Sequence, residues 1–396
     1  MPGSLTEDYE ARRDQAAAAL AHANQLRARW ANILLAIAAI GLVSFWQVVH
    51  ANASFWPVTA CIAAAIVAGL FKGRASHAAA VADRRLDFYT RALGRITGSE
   101  PQTGRTGDAF SQPNHLYERD LNILGPDSLF GLLATTRTGL GQRALAAFLL
   151  HPVPAEQARA RQQAIQELAP LTDLRERIGL LGRFGFEDLP ADSFETWLDT
   201  PPTHFPRWPG PVLAALSATW FLILLAGLAL HWDSTLLVRN IAMLFGLQTL
   251  LCGTLRTRVL AELDAVKGLA PETAILRDGV RILRQSAFTS PCLLELQREI
   301  AGEDRALAVL ERYLNLAEQR LKTIPFVLCL LLSGGTHIAL GLNNWKRQHA
   351  TAMRQWLNAW ADFEALSALA TYAAEHEENT YPEIITSSTP TALFTA

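Results

Sequence analysis

HLYERDLNILGPDSLFGLLATTRTGLGQRALAAFLLHPVPAEQARARQQAIQELAPLTDLRER, residues His115 to Arg177, contains a series of short patterns from which the rest of the chain can be interpreted. Residues 117–124 resemble a short strand, and the turn pair Gly125-Pro126 closes it. Leucines on one face then predict a first helix over residues 128–135. The patterns that follow have helical spacing, so this stretch predicts a mainly α domain.

Two further helices follow within the same stretch. Thr138 is a suitable N-cap for a helix over residues 139–150, whose apolar residues recur at helical spacing. Pro152 ends that helix, because proline disfavours a helical conformation in the residue before it. A third helix begins at Val153-Pro154, since proline is tolerated in the first turn. The stretch therefore predicts three helices in succession.

Several residues of this stretch stand in a characteristic order, and a second set lies near the far end of the chain. The first set is Thr136, Thr138, Gly141, Arg143, Leu145, Phe148, Pro152 and Arg161. The second set is Glu364, Leu366 and Ala370. The first set resembles the start of the core (lever) domain of the MutS family of DNA mismatch-repair ATPases, and the second is similar to that domain's returning lever helix. One departure is Ala134, where the family usually carries Asp or Asn.

The resemblance implies a fold, a partner and an activity. It implies an all-α core-like domain formed by residues 115–205 and 254–385, a homodimer or a separate ATPase partner, and ATP-dependent binding of mismatched DNA. Family members hold ATP and magnesium in an ATPase domain that follows the core, and this chain ends where that domain is expected. Nucleotide state would be coupled to movement of the lever helix. No cofactor is assigned to residues of this chain.

Two motifs of the family have no counterpart in the sequence. A phosphate-binding loop needs glycines whose backbone N–H groups surround the phosphates, and a lysine that reaches them. The dipeptide Gly-Lys does not occur in the 396 residues. The family's mismatch reader is a Phe-x-Glu wedge, and that tripeptide does not occur either. We therefore assign no catalytic, cofactor-binding or metal residues, and enzymatic activity stays an open question.

Two uncharged runs near the N-terminus predict a transmembrane hairpin over residues 31–72. The runs cover residues 31–49 and 55–71, and each is about long enough to cross the hydrocarbon. Trp46 and Trp56 stand where interfacial aromatic residues are expected. The alternative is a helical hairpin buried in a soluble core, which is disfavoured because two adjacent uncharged runs are rare in soluble proteins.

Charged residues around this hairpin predict its orientation. Arg27 and Arg29 precede the first run, Lys72 and Arg74 follow the second, and the turn contains no Lys or Arg. Positively charged flanks favour the cytoplasmic side of a membrane. We therefore expect a multi-pass protein of the inner (cytoplasmic) membrane, whose N-terminus and core domain are cytoplasmic.

A second transmembrane hairpin is predicted over residues 208–253. Its two apolar runs cover residues 212–230 and 236–253. The second run is less apolar because it contains Arg239 near its start and Gln248 within it. A long side chain such as that of Arg239 can extend to the membrane interface. The orientation of this hairpin is expected to match that of the first.

Residues 324–342 form a further apolar run, which Gly334, Gly335 and His337 interrupt. A buried helix of the core is favoured over a fifth span, because an odd number of spans would place the two halves of the core on opposite sides of the bilayer. The tryptophans that follow are expected to pack in the core or at an interface. They are Trp345, Trp356 and Trp360.

The complete fold predicted here is mainly α, with transmembrane helical hairpins and a cytoplasmic all-α domain like the MutS core (lever). The remaining segments are a polar cytoplasmic helix over residues 1–30, a cytoplasmic helix and linker over 73–114, and a disordered tail over 386–396. Residues 75–95 are as alanine-rich as residues 1–30, and the two are expected to pair.

Overall composition favours neither a nucleic-acid binder nor a metalloprotein. The formal net charge is −2, so bulk charge gives no indication of a polyanionic partner. The cysteines are scattered, without close pairs or metal-ligand spacing. They are Cys61, Cys252, Cys292 and Cys329. The histidines are likewise isolated, so no metal site is predicted.

Three functions from different classes stay open. The first is a membrane-anchored MutS-like module that binds DNA and, with an ATPase region, nucleotide. The second is a non-enzymatic membrane scaffold or interaction protein that keeps the MutS core fold. The third is a small transporter, which is disfavoured because no charged residue lies deep in the most apolar spans. Arg137 and Arg143 are candidates for contact with phosphate or an ATPase domain, or for pairing on an exposed helix face.

Overall fold

The computed structural model describes residues 2–51, 54–100, 102–182, 192–230, 232, 234–300, 304–320, 329 and 331–384. These residues form helices and turns, with no strand among them, which confirms the mainly α class. The helices are α1 (Pro2–Ala51), α2 (Trp56–Thr97), α3 (Leu129–Leu133), α4 (Gly139–Leu150), α5 (Ala155–Leu168), α6 (Thr172–Gly179), α7 (Asp192–Asp199), α8 (Pro209–Ala229), α9 (Ser234–Ala265), α10 (Leu269–Gln285), α11 (Pro291–Glu299), α12 (Asp304–Gln319) and α13 (Gly334–Glu375). The tail predicted at 386–396 lies outside the described residues.

The strand predicted at residues 117–124 is wrong, because this piece forms turns. The backbone N–H of Ile123 donates to the carbonyl of Glu118 (2.9 Å), and Asn122 has a positive φ of 46°. The carboxylate of Glu118 accepts hydrogen bonds from Ser111 Oγ and from the backbone N–H of Gln112, which folds the piece back onto the preceding segment. A strand also needs a neighbouring strand for its backbone groups, and the described part of the chain offers none.

The three helices predicted around this piece are confirmed as α3, α4 and α5. Ser128 and Thr138 act as N-caps: each side-chain oxygen accepts from the backbone N–H three residues later, at Gly131 and Gly141 respectively, over 3.1 Å. Such caps satisfy N–H groups that have no partner within a helix. The helix α4 begins at Gly139 and ends at Leu150, as the pattern indicated.

Helices α1 and α2 form an antiparallel pair, which we call the first hairpin. Ring contacts at two levels fix the pairing: Tyr9 with Tyr89, at 5.4 Å between centroids, and Trp30 with Phe71, at 4.8 Å. Between these levels the buried residues are alanines. They are Ala16 and Ala23 on α1, and Ala75, Ala79 and Ala82 on α2. Small residues let two helices approach closely, so the expected pairing of the alanine-rich segments is confirmed.

Each helix of the first hairpin is continuous through both of its compositional halves. The boundaries predicted near residues 30 and 72 are changes of side-chain polarity, because α1 and α2 run through them without interruption. We call residues 2–30 and 73–97 the stalk. Neither proline nor a left-handed residue occurs within these junctions to break the backbone hydrogen bonds.

Beyond the stalk, large apolar side chains point outward from the first hairpin. Leu35, Leu42, Trp56 and Leu70 are 70%, 72%, 80% and 64% exposed. Four helices in the described part of the chain, α1, α2, α8 and α9, are long and apolar enough to cross a membrane. Contiguous apolar surface of this kind is uncommon on soluble monomers, so the surface agrees with association with a membrane.

Helices α8 and α9 form the second hairpin. Three of their large side chains are buried, Leu213, Trp220 and Leu237. Gly227 has no side chain, which leaves room for Leu237 from the opposite helix. The helix α9 continues beyond the apolar run as far as Ala265, where it joins the core.

The core surrounds α13, which packs against α4, α5, α9, α11 and α12. Trp345, Trp356 and Trp360 are 3%, 2% and 1% exposed, so the prediction that these tryptophans pack in the core is confirmed. Within the apolar run 324–342, the described residues Ile338, Ala339 and Leu342 are also buried in the core cluster. Residues 321–328 and 330 lie outside the described residues.

The stalk is joined to the core through the buried carboxylate of Glu176 on α6. Its oxygens accept hydrogen bonds from Arg12 Nη1 (3.4 Å), from Arg85 Nε and from the hydroxyl of Tyr89. Arg175, the preceding residue, donates from Nη1 to the hydroxyl of Tyr9 over 3.0 Å. Both helices of the stalk are thereby attached to one helix of the core.

Candidate functional site

The two sets of residues singled out in the sequence are in direct contact. Thr138 Oγ1 donates to Glu364 Oε2 over 2.6 Å, and the backbone N–H of Thr138 donates to the same oxygen over 3.2 Å. A side chain at Gly141 would collide with the Glu364 carboxylate, so the close approach of α4 and α13 requires glycine there. The N-cap of α4 and the C-terminal third of α13 therefore form one unit, although they are 226 residues apart.

Glu364 is a buried acid with an incomplete set of partners. It is 2% exposed, and its Oε1 has no hydrogen-bond partner in the described part of the protein. Burial raises the pKa of Glu364 to about 7, while the hydrogen bonds from Thr138 act in the opposite direction. A buried polar atom without a partner is costly, so the absence of a partner for Oε1 agrees with the raised pKa of this carboxyl group.

The other residues of the two sets fall into separate environments. Leu145, Leu366 and Ala370 are buried in the core cluster. Arg161 lies over the ring of Phe148, with its guanidinium carbon 3.6 Å from the ring centroid. Pro152 is exposed after the end of α4. These residues maintain the packing of the core and do not line a shared site.

Arg143 pairs with a carboxylate on the surface of the core. Its guanidinium donates two hydrogen bonds to Glu195 of α7, with Nη1 to Oε2 at 2.6 Å. Both side chains are about one-third exposed. Of the two interpretations considered for Arg143, the structure thus favours pairing on a helix face.

A cavity of about 500 Å³ lies beside the Thr138–Glu364 contact. Its walls come from α2 of the stalk, Glu100, residues 102–105, the loop 134–137, α6 and α13. Five arginines line it, against three carboxylic acids. The arginines are Arg91, Arg95, Arg105, Arg137 and Arg175, and the acids are Asp87, Glu100 and Glu364. The lining therefore has an excess of positive charge.

Two of these arginines hold the loop between α3 and α4. Arg105 Nη1 donates to the carbonyl of Ala134 (3.2 Å) and to that of Thr136. Arg137 Nη2 donates to the carbonyl of Leu181 over 2.6 Å, and burial lowers the pKa of Arg137 to about 10. Both groups remain cationic at neutral pH and add to the positive potential of the cavity.

Two more arginines fix the cavity walls to each other. Arg95 on α2 makes a two-point ion pair with Glu375 at the end of α13, at 2.6 and 2.8 Å. Arg175 on α6 reaches Tyr9 on α1. The cavity therefore lies where the stalk, α6 and α13 meet.

Sequence reasoning found only part of this site. It singled out Thr136, Arg137 and Glu364, all of which line the cavity. It missed Arg91 and Arg95, whose spacing of four residues places both on one face of α2. It also missed Arg105, which lies in a segment interpreted as a linker. No pattern in the sequence indicates that these segments converge.

The described residues contain no group of three or more His, Cys, Asp or Glu side chains able to hold a metal ion. Comparison of the chain with models of protein families, with curated proteins and with solved structures finds no match in any of the three.

Proposed function

We propose that this chain is a membrane-anchored core (lever) module of the MutS type, which acts together with an ATPase domain or a separate ATPase partner. The observation that carries the proposal is the contact between Thr138 and Glu364. Two sets of residues that resemble one domain of that family from sequence alone lie 226 residues apart, yet they meet through two hydrogen bonds. Gly141 permits this contact, which gives a physical reason for each of the three residue types.

The membrane part of the proposal rests on the two hairpins. Their apolar side chains are exposed over lengths that suit the hydrocarbon of a bilayer. With Arg27 and Arg29 before the first apolar run and Lys72 and Arg74 after the second, the stalk and the core lie on the cytoplasmic side of the inner membrane. The protein is then multi-pass, and its N-terminus is cytoplasmic.

The lever part of the proposal rests on α13. At its start, Gln248 of α9 donates from Nε2 to Ser333 Oγ over 2.7 Å. At its end, Glu375 accepts from Arg95 of α2. One helix of 42 residues, roughly 63 Å long, thus touches both hairpins and the site at Glu364. A movement of α13 would act on the membrane hairpins.

By resemblance, the assembly binds mismatched DNA when its ATPase partner binds ATP and magnesium, and it works as a homodimer or with that partner. The chain itself supplies the lever and the anchor. The second candidate is a non-enzymatic scaffold. It is favoured by the position of the hairpins, which stand where the family carries its mismatch reader and its DNA clamp.

Salt-dependent DNA retention separates these two functions. The full chain in nanodiscs is titrated with a fluorescent duplex, with or without one mismatch, between about 50 and 300 mM KCl. The MutS-type module is expected to retain DNA at low salt, with a negative slope of log affinity against log salt. A defined oligomer that retains no DNA even at the lowest salt would support the scaffold and contradict the DNA-binding proposal.

Membrane fractionation tests the anchor independently. The chain is expected to stay in the pellet after alkaline carbonate extraction, and its stalk and core are expected to be digested by protease in inside-out vesicles. Recovery of the full chain in the supernatant would overturn the membrane part of the proposal.

A further inference from the structure

We propose that the cavity between the stalk, α6 and α13 binds a soluble organic phosphate of up to mononucleotide size. The inference goes beyond the proposed function and does not depend on DNA binding. It rests on the charge, the size and the position of the cavity, and on the unsatisfied oxygen of Glu364.

The charge of the lining selects an anion. Five guanidinium groups surround a space that only three carboxylic acids share. The guanidinium is planar and carries five N–H donors, so it matches phosphate oxygens well and keeps donors for a ligand after it has bound a protein carboxylate. Arg95 is an example, because its pair with Glu375 uses Nε and Nη2.

The neutral part of the lining selects an organic ligand over a bare inorganic ion. Hydroxyl groups of Thr136, Ser367 and Thr371 lie on one side, and the apolar side chains of Phe88 and Ile178 lie on another. A volume of about 500 Å³ falls within the range of small-ligand sites, roughly 300 to 1,000 Å³. A phosphate group with a sugar or base attached would use both kinds of surface.

Glu364 supplies an independent indication of a ligand. Glu364 lines the cavity, and its Oε1 is buried without a hydrogen-bond partner among the described residues, so a ligand in the cavity meets this oxygen after a small shift of the side chain. A hydroxyl or amino group of an organic phosphate would satisfy this oxygen. Inorganic phosphate at neutral pH offers fewer donors for this role.

The distance of the cavity from the membrane excludes the headgroup of a lipid as the phosphate that binds there. This step rests on the membrane position proposed for α2. The cavity residues of α2 begin at Asp87, fifteen positions beyond Lys72 at the end of the apolar run. At a rise of about 1.5 Å per residue, the cavity starts roughly 22 Å from that end. The ligand therefore comes from solution.

A bound phosphate would connect the stalk to the lever. Arg91 and Arg95 belong to α2, whereas Ser367 and Thr371 belong to α13. A ligand that contacts both helices stabilises the arrangement in which they are close, by an amount that depends on its concentration relative to its Kd. The concentration of a soluble metabolite would thus determine how firmly α2 is held against α13, the helix that touches both hairpins.

The test is equilibrium binding of AMP, pyrophosphate and adenosine to the full chain in phosphatidylcholine nanodiscs. Saturable binding of AMP is expected below about 10 mM, with pyrophosphate competing and adenosine at least about tenfold weaker. Arg91→Gln removes a half-exposed cavity arginine whose surface pair with Asp87 contributes little to stability. It is expected to weaken AMP binding about tenfold.

Arg74→Gln is the matched control, because Arg74 lies on the same helix but outside the cavity. It is expected to bind AMP as the unchanged chain does. Equal losses in the two variants, adenosine binding as tightly as AMP, or no saturable binding would each overturn the proposal. Binding that appears only when phosphatidylglycerol is added to the nanodiscs would also overturn it. The same holds if duplex DNA, but not AMP, occupies the cavity. Circular dichroism of each variant without ligand verifies folding. Absence of AMP binding would leave the results of the DNA and membrane tests unaffected.

Discussion

The two hairpins are joined to the core in different ways. The first hairpin continues into a stalk, and its attachment uses charged groups around Glu176. The second hairpin enters the core directly through α9, and its attachment to the residues before α13 uses the neutral amide of Gln248. Charged groups are costly at the depth of an apolar run. An attachment made beside such a run therefore uses a neutral donor, whereas one made beyond it can use ion pairs.

The contact surfaces within the hairpins differ as well. In the first hairpin, buried alanines bring the helices close together over most of the stalk. In the second, Leu213, Trp220 and Leu237 are buried, and Leu237 packs against Gly227 of the opposite helix. Small residues let two backbones approach closely, whereas a leucine needs a glycine opposite it for the same approach.

The charged attachment is expected to give the largest effect when it is broken. Glu176→Ala removes the acceptor shared by Arg12, Arg85 and Tyr89, although Arg12 keeps Asp8 and Asp173 as partners. The loss of three hydrogen bonds to a buried carboxylate costs about 3 to 5 kcal/mol of stalk–core stability. Hydrogen exchange should rise in α6 and in the stalk part of α2. Glu10→Ala, at an exposed position of α1, is the control and should leave exchange unchanged; equal exchange in both variants would contradict the role assigned to Glu176.

A pH experiment probes α10, the helix that follows the second hairpin into the core. Burial, together with Glu364 and Glu195, raises the pKa of Glu272 from its ordinary value of 4.5 to about 8. As pH rises from 4.5 to 8 the unfolded chain loses this proton first, so stability falls across that window and levels off above it. Glu272→Gln should therefore stabilise the protein by about 2 to 4 kcal/mol at pH 8 and hardly at pH 5.

Urea unfolding of the detergent-solubilised chain, followed by tryptophan fluorescence, measures this difference. Glu295→Gln, at an exposed position of α11, serves as the control and is expected to have little effect at either pH. A gain from Glu272→Gln that is the same at pH 5 and pH 8 would show that titration of Glu272 is not its cause.

Overpacking of the alanine contact should distinguish the first hairpin from the second. Ala79→Leu places a large side chain where Ala79 is 4% exposed between two close helices. The expected cost is about 1 to 3 kcal/mol, with separation of α1 from α2. Ala80→Leu adds the same atoms at an exposed neighbouring position. Cross-linking between the two helices should fall for the first variant only; equal cross-linking in both would show that the contact tolerates bulk.

The neutral attachment is expected to give the smallest effect. Gln248→Leu removes the donor to the carbonyl of Leu331 (2.8 Å) and to Ser333 Oγ (2.7 Å). The loss is about 1 to 2 kcal/mol. It should appear as faster labelling of Cys252, which contacts Ser333. Thr249→Val changes the next residue, which is exposed, and should leave the labelling rate of Cys252 unchanged. A change of similar size in this control would show that the hydrogen bonds of Gln248 are not the cause.

Much of the fold could be predicted because it depends on local physical rules. The caps Ser128 and Thr138 and the limits of α4 follow from hydrogen bonding near one turn of helix. The apolar length of the hairpins is a property of single segments. The turns at 117–124 were predicted wrongly, because the contact that shapes them is the carboxylate of Glu118 with Ser111 and Gln112.

The cavity could not be predicted, because its walls come from segments that are far apart in sequence. Arg91, Arg105 and Arg175 belong to three such segments, and no local pattern indicates that they face one space. Gln248 shows the same limit. In the sequence it weakens the case for an apolar span, whereas the structure shows that it holds the residues before α13.

The contact at Glu364 divides α13 unequally. From Ser333 to Glu364 the helix measures roughly 46 Å, and from Glu364 to Glu375 roughly 17 Å. If the tight fit of Gly141 against Glu364 acts as a fulcrum, the arm towards Gln248 is nearly three times as long as the arm towards Arg95. A shift of one ångström at the short arm then becomes almost three at the long one, so a small displacement beside the cavity is amplified at the second hairpin.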